Sequence, residues 1–194
     1  MRTLVVHNLV SLDGFSAGPG GDLMALPFDP AFDEACAERL GAADTLLLGR
    51  TTYTGFKSFW PSVADDPEAN PVHREISRRD NEIEKVVVSD TLTPEETEPW
   101  RETTEILSRA NAHERLVELK QGDGGEILVF GSSTLWNDLL AAGLVDEIHL
   151  MVGPVALGDG VSAFVSKPDA SLRLLEAPRT WEGSDNVLLR YGVS

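Results

Sequence analysis

Short apolar runs alternate along this chain with longer segments of helical period. The apolar runs are Leu4 to Val10, Thr45 to Leu48, Val86 to Val88, Glu105 to Leu107, Ile127 to Phe130, Ile148 to Val152, Leu172 to Leu175 and Val187 to Tyr191. Each has the length of a strand, and most lack polar alternation, as expected of strands covered on both faces. Between the first two, Asp29 precedes Pro30 as a helix-start signal, and Phe32, Ala35, Cys36 and Leu40 then share one face until about Gly41. Asn111 to Lys120 and Thr134 to Ala142 repeat the helical spacing and stop at glycines. Strands joined by crossover helices predict an α/β fold, a three-layer sandwich with a mostly parallel, twisted sheet of about eight strands and helices on both faces. Only Pro178 to Asp185 separates the last two strands, which predicts a C-terminal antiparallel hairpin. Pro61 to Glu84 is the most polar part and reads as a loop followed by a short exposed helix.

No repeat or linker divides residues 1–194, so a single domain is expected, and 42% hydrophobic residues can supply its core without disulfides or metals. Cys36 is the single cysteine, which fits a reducing compartment. No apolar stretch approaches ~20 residues and no signal-peptide cleavage site follows the start, so a cytoplasmic protein with no membrane partner is expected. The formal net charge of -16 opposes nucleic acid, and it obliges any phosphate-bearing ligand to rely on local donors. His7, His73, His113 and His149 show no metal-ligand spacing, and no metal site is expected. A hydrolase nucleophile elbow and a phosphate-binding Gly-Lys-Thr or Gly-Lys-Ser motif are also lacking.

Four segments carry candidate chemistry. Leu46 to Tyr53 runs from a strand into Gly49, Arg50, Thr51 and Thr52, where a helix N-terminus and a guanidinium would attract phosphate; the alternative is a glycine turn with a threonine cap. Ile127 to Leu135 repeats the design with Gly131, Ser132, Ser133 and Thr134, and its alternative is an ordinary βα turn. Ser11-Leu12-Asp13-Gly14-Phe15, with the glycines from Gly18 to Gly21, reads as a mobile loop over a ligand or as a plain turn formed by Asp13. Asp29 and Asp33 could hold a proton opposite a heterocycle, although a helix cap and a first-turn acid explain both.

In this order the segments resemble the dihydrofolate reductase superfamily. They resemble more closely the family of the C-terminal reductase domain of the bifunctional riboflavin-biosynthesis deaminase-reductase. Ser11 to Phe15 resembles its first-strand signature, Leu46 to Tyr53 its Gly-Arg-x-Thr turn, Lys85 to Ser89 the strand that meets the adenosine, and Val129 to Ser132 its second pyrophosphate turn. Gly143 to Ile148, followed by Pro154 to Gly160, resembles its late strand and loop. The resemblance implies a stand-alone reductase that uses NADPH to deliver hydride to a pterin-like or aminopyrimidine-like heterocycle. It places Gly49, Arg50 and Thr52 at the cofactor phosphates, Ser89 near the adenosine ribose, Gly131 and Ser132 beside the pyrophosphate, and Asp13 near the substrate.

Two residues depart from the family pattern. Asp90 stands where relatives commonly carry an arginine, which makes NADH an alternative cofactor, and Ser132 stands where dihydrofolate reductases have a second glycine. No deaminase motif is present. The alternative to an enzyme is a dinucleotide- or small-molecule-binding module that keeps the fold. A homodimer is expected, with Phe56, Phe59 and Trp60 as a candidate interface.

Overall fold

A computed structural model describes residues 1–194. The strands are β1 (Leu4–Ser11), β2 (Phe15–Ala17), β3 (Ala43–Gly49), β4 (Glu84–Val88), β5 (Thr104–Leu107), β6 (Glu126–Phe130), β7 (Glu147–Gly153), β8 (Val161–Ser162), β9 (Leu172–Leu174), β10 (Arg179–Thr180) and β11 (Val187–Val193). The helices are α1 (Pro30–Ala42), α2 (Arg50–Phe59), α3 (Pro71–Glu82), α4 (Ala112–Gln121) and α5 (Ser133–Ala141). The main sheet runs β10-β11-β7-β1-β6-β3-β4-β5, with β9 also paired to β11. All pairs from β7 to β5 are parallel, and β11 is antiparallel to β7, β9 and β10.

The unbroken apolar runs follow from burial on both faces. In β1, Leu4 and Val6 join Leu116 of α4 and Trp136 of α5, while Val5 points the other way into a cluster with Cys36 and Leu40 of α1, Tyr53 of α2 and Ile76 of α3. Leu47 of β3 and Ile127 of β6 share the first layer, whereas Leu46, Leu48 and Leu128 share the second. Polar side chains start two helices: Asp29 accepts from the Phe32 amide at 3.0 Å, as the sequence predicts, and Asn70 accepts from the His73 amide at 2.7 Å.

Three features differ from expectation. Within the polar Pro61 to Glu84 stretch, α3 is longer and less exposed than predicted, because Ile76, Ser77 and Asp80 turn inward against α1. The C-terminal strands are antiparallel as expected, but they do not form a simple hairpin, since β9 and β10 both pair with β11. A separate two-stranded sheet, β2 with β8, carries too few residues to leave a periodic signal.

The sheet has a topological switch between β3 and β6. From β3 the chain passes through α2 and α3 to β4 on one side, and from β6 it passes through α5 across β1 to β7 on the other. Crossovers that diverge in this way leave a crevice at the carboxyl ends of the two strands.

One buried pair stands apart from the core. Asp80 is wholly buried with neither carboxylate oxygen hydrogen-bonded, and the nearby Lys85 ammonium donates to the Ile83 carbonyl at 2.7 Å and lies 4.5 Å over the Trp100 ring. Burial pushes the Asp80 carboxyl up to about 7 against the pull of Lys85, and burial brings Lys85 down to about 8. Folded Asp80 therefore keeps a proton that the unfolded chain releases. Its contribution to stability is complete below about pH 4 and is lost as pH rises through about 7. Asp80→Asn is expected to gain stability relative to the parent chain between pH 5 and pH 8, by up to about 1.4 kcal/mol per pH unit. Urea midpoints of both proteins across that range check this, and parallel curves would refute it.

Candidate functional site

The crevice is built by two strand-to-helix turns that bind each other. Gly49 precedes α2 and Ser132 precedes α5, and neither helix has a side-chain cap. The Gly49 amide donates to Ser132 Oγ at 3.0 Å, while the Ser132 amide and hydroxyl both donate to Thr52 Oγ1 at 3.1 Å. Gly131 has φ of 53°, and a Cβ there would lie 3.0 Å from Thr52 Oγ1, so a side chain would meet both backbone strain and the neighbouring turn. Ser132 itself has φ of 51°, a left-handed conformation that is strained in a residue other than glycine.

Asn8 of β1 holds this turn from below. Its Oδ1 accepts from the Gly131 amide at 2.6 Å and its Nδ2 donates to the Gly131 carbonyl at 3.4 Å. Sequence reasoning missed Asn8, although a lone amide inside Leu4-Val5-Val6-His7-Asn8-Leu9-Val10 was a signal. Nearly all of β1 faces the core, so a buried polar residue there needs a specific partner. The turns therefore bring together Gly49, Thr52, Gly131 and Ser132, with Arg50, Thr51 and Thr134 on the exposed rim. Ser133 Oγ lies 3.0 Å from Ser16 Oγ, which ties the start of α5 to the small sheet.

That small sheet is held over the crevice by Asp13. Its Oδ1 accepts from Ser11 Oγ at 2.6 Å and from the Leu157 amide at 3.1 Å, and its Oδ2 accepts from the Gly158 amide at 2.7 Å. The Ser11 bond and then the Gly158 and Leu157 amides bring this exposed carboxyl down to about 2. In this geometry Asp13, which the resemblance places near the substrate, clasps two loops together. Gly160 completes the joint, because a Cβ there would lie 2.2 Å from the Ala17 carbonyl oxygen.

Asp29 stands at the start of α1, at the end of that helix farthest from its entry into β3. Besides capping Phe32, it accepts from Ser184 Oγ at 2.5 Å. Burial would raise its pKa, but the bonds from Ser184, Phe32 and Asn186 outweigh that and leave it below the usual carboxylate range. Phe28 and Phe32 stand beside it with ring centroids 5.5 Å apart. Asp33, the other candidate on this helix, turns toward α3 and meets His73 Nε2 at 2.8 Å.

At the far end of the crevice, Ser89 is 6% exposed and its Oγ accepts from the Thr91 and Leu92 amides at 3.2 and 3.0 Å. Ser89, which the resemblance places near the adenosine ribose, shapes the turn after β4. Arg50 reaches across to Thr91 Oγ1 at 2.6 Å and Glu96 Oε1 at 3.0 Å, and Asp90 Oδ1 accepts from the Arg109 amide at 2.9 Å.

Beneath α1, on the flank away from α3, lies a polar cavity of about 30 Å³ lined in part by His7, Arg39, His149 and Arg190. His7 stacks on Phe32 and meets Phe130 edge-on, and burial brings it down to about 3, so it stays neutral. Its position in the strand agrees with the sequence expectation of a packed histidine. The expected Phe56, Phe59 and Trp60 patch is less open than predicted: Phe56 packs on Phe130 and Trp60 is half-buried against His73, which leaves Phe59 at 53% exposure.

No helix is long and apolar enough to cross a membrane. The chain is 28% identical over 164 residues to the uncharacterized protein YyaP of Bacillus subtilis, covering 84% of this chain and 81% of that one. Its fold is similar to Acinetobacter baumannii RibD, with a TM-score of 0.69 and 18% identity over all of this chain and 58% of that one. It is also similar to Enterococcus faecalis dihydrofolate reductase complexed with NADP(H), with a TM-score of 0.61 and 15% identity over 99% of this chain and 96% of the other. The architecture is thus that of dihydrofolate reductase, as the sequence predicted. The family model described as the RibD C-terminal domain matches residues 2–188, and the chain belongs to that family.

Proposed function

We propose that this chain is a reductase that binds a nicotinamide dinucleotide across the Gly49 and Gly131 turns and reduces a small planar heterocycle. The observation that carries this reading is the pair of uncapped helix starts, α2 and α5, bonded to each other through Ser132 at the switch between β3 and β6. Free amides at two adjacent helix N-termini offer a pyrophosphate the local donors that a chain of net charge -16 otherwise denies it. The donor set fits the group: glycine at 131 lets a phosphate approach the backbone, and Thr52 with Ser133 adds hydroxyls. When bound, the nicotinamide supplies a hydride.

The protein's own part is to position and enclose. Asp29, held ionised by Ser184 and the Phe32 amide, accepts N–H groups of a heterocycle lying against Phe28 and Phe32, as pterins and aminopyrimidines present. The Asp13 clasp keeps the loops after β1 and β7 together as a cover that limits water. A second reading is favoured by the fact that Asp13 and Asp29 are both held ionised, so that neither keeps a proton to give at neutral pH. On that reading the chain binds the dinucleotide without turnover, as a homodimer that covers Phe59.

Addition of NADH or NADPH is expected to quench the fluorescence of the four tryptophans saturably. Absence of any response to both would sink the proposal. Gly131→Val is expected to weaken binding at least tenfold, about 1.4 kcal/mol, because the new side chain meets Thr52 and strains the backbone. Asp13→Asn keeps the side-chain shape but removes one carboxylate acceptor. Faster amide hydrogen exchange in residues 155–160, with a several-fold weaker dinucleotide, is the expected result, and unchanged exchange would rule out the clasp.

A further inference from the structure

Resting on the dinucleotide reading above, we infer that the cleft selects the unphosphorylated cofactor, NADH, and that Asp90 and Glu96 reject the 2′-phosphate of NADPH. The juxtaposition comes from the sheet register. Gly49 at the end of β3 pairs with Val88 at the end of β4, so Arg50 and Asp90 leave neighbouring strands at the same level, at the end of the crevice remote from Asp29.

The two guanidiniums at this end already face carboxylates. Arg50 donates through Nη1 to Thr91 Oγ1 at 2.6 Å and through Nη2 to Glu96 Oε1 at 3.0 Å. Glu96 is fixed from its other side, since its Oε2 accepts from the Thr93 amide at 2.9 Å in a reciprocal capping arrangement. Asp90 holds the Arg109 amide through Oδ1, and its Oδ2 lies 3.7 Å from Arg109 Nε. Two guanidiniums thus face two carboxylates.

A phosphomonoester brings a charge of about -1.5 to -2 at neutral pH. Here both guanidiniums already face a carboxylate and the Lys57 ammonium is bonded to the Glu96 carbonyl, while the remainder of the chain adds a repulsive field. To bind Arg50 it would have to displace Glu96, which the Thr93 amide holds in place. A ribose diol makes the opposite demand. Its hydroxyls need an acceptor, and Asp90 Oδ2, on a side chain 53% exposed, has only the long contact to Arg109.

Equilibrium binding of NADH and NADPH, read by tryptophan quenching, tests the inference on the parent protein, Asp90→Arg and Asp90→Ser, at low and high salt. The parent is expected to bind NADH at least tenfold more tightly than NADPH, with the gap narrowing as salt screens the carboxylates. Asp90→Arg is expected to raise NADPH affinity tenfold or more while NADH weakens only slightly. Asp90→Ser, which keeps a short side chain in the same turn, is expected to move the ratio the same way by a smaller factor, and it serves if the arginine variant does not fold. Equal or tighter NADPH binding by the parent, or a ratio that neither variant moves, would overturn the selectivity while leaving the dinucleotide reading intact. Failure of both dinucleotides to bind would remove that reading, and the selectivity with it.

Discussion

The bond from the Gly49 amide to the Ser132 hydroxyl is the interaction on which the candidate site depends. It joins two turns that belong to different βα units and are 83 residues apart in the chain. Its geometry requires Ser132 to stay in a left-handed conformation, with Gly131 beside it in the same region. Such strain persists only when the surroundings over-determine it. Here they do so from two sides, through Thr52 on α2 and Asn8 on β1. Because β1, β3 and β6 are packed on both faces, these anchors sit on rigid elements that hold the starts of α2 and α5 in place.

Around that rigid centre the electrostatics are arranged locally against the global charge. Arg50, beside the crevice, is committed to Glu96, and elsewhere Arg39 is committed to Glu126 and Arg179 to Glu38. At the paired turns, the groups left to meet an anionic ligand are the helix N-termini and the hydroxyls beside them. Buried ionisable groups behave differently from surface ones. His7 and His149 are kept neutral by burial, and Asp80 is held toward its protonated form by the same cause, so the core carries little unpaired charge at neutral pH.

The legibility of these features in the sequence follows their range. The Asp29 cap was legible because a cap is a local contact between a side chain and an amide three residues on. The two glycine turns were legible as a repeated pattern. Asn8 could be seen only as an anomaly, since its partner lies 123 residues away. The bonds that Asp13 and Ser89 make inside the chain were not legible for the same reason. Each is a good hydrogen-bond acceptor near a candidate ligand, but whether loop amides or a ligand fill it depends on backbone that only the folded chain delivers. The inward face of α3 was hidden by composition, because Ser77 and Asp80 are polar residues that the tertiary structure nevertheless buries.

By itself, the sequence determined the alternation of strands and crossover helices, the parallel character of the sheet, the starts of α1, α2 and α5, and the family. These rest on hydrophobic periodicity and on contacts within a few residues, which any fold of this chain must honour. The tertiary structure alone decided the strand order that opens a crevice between β3 and β6, and the bond between the two turns. It also decided the commitment of Asp13 to a loop clasp and the pairing of Arg50 with Glu96. Each of these joins residues far apart in the chain, and a hydrogen bond or ion pair is specified by where both partners arrive, which no local pattern encodes.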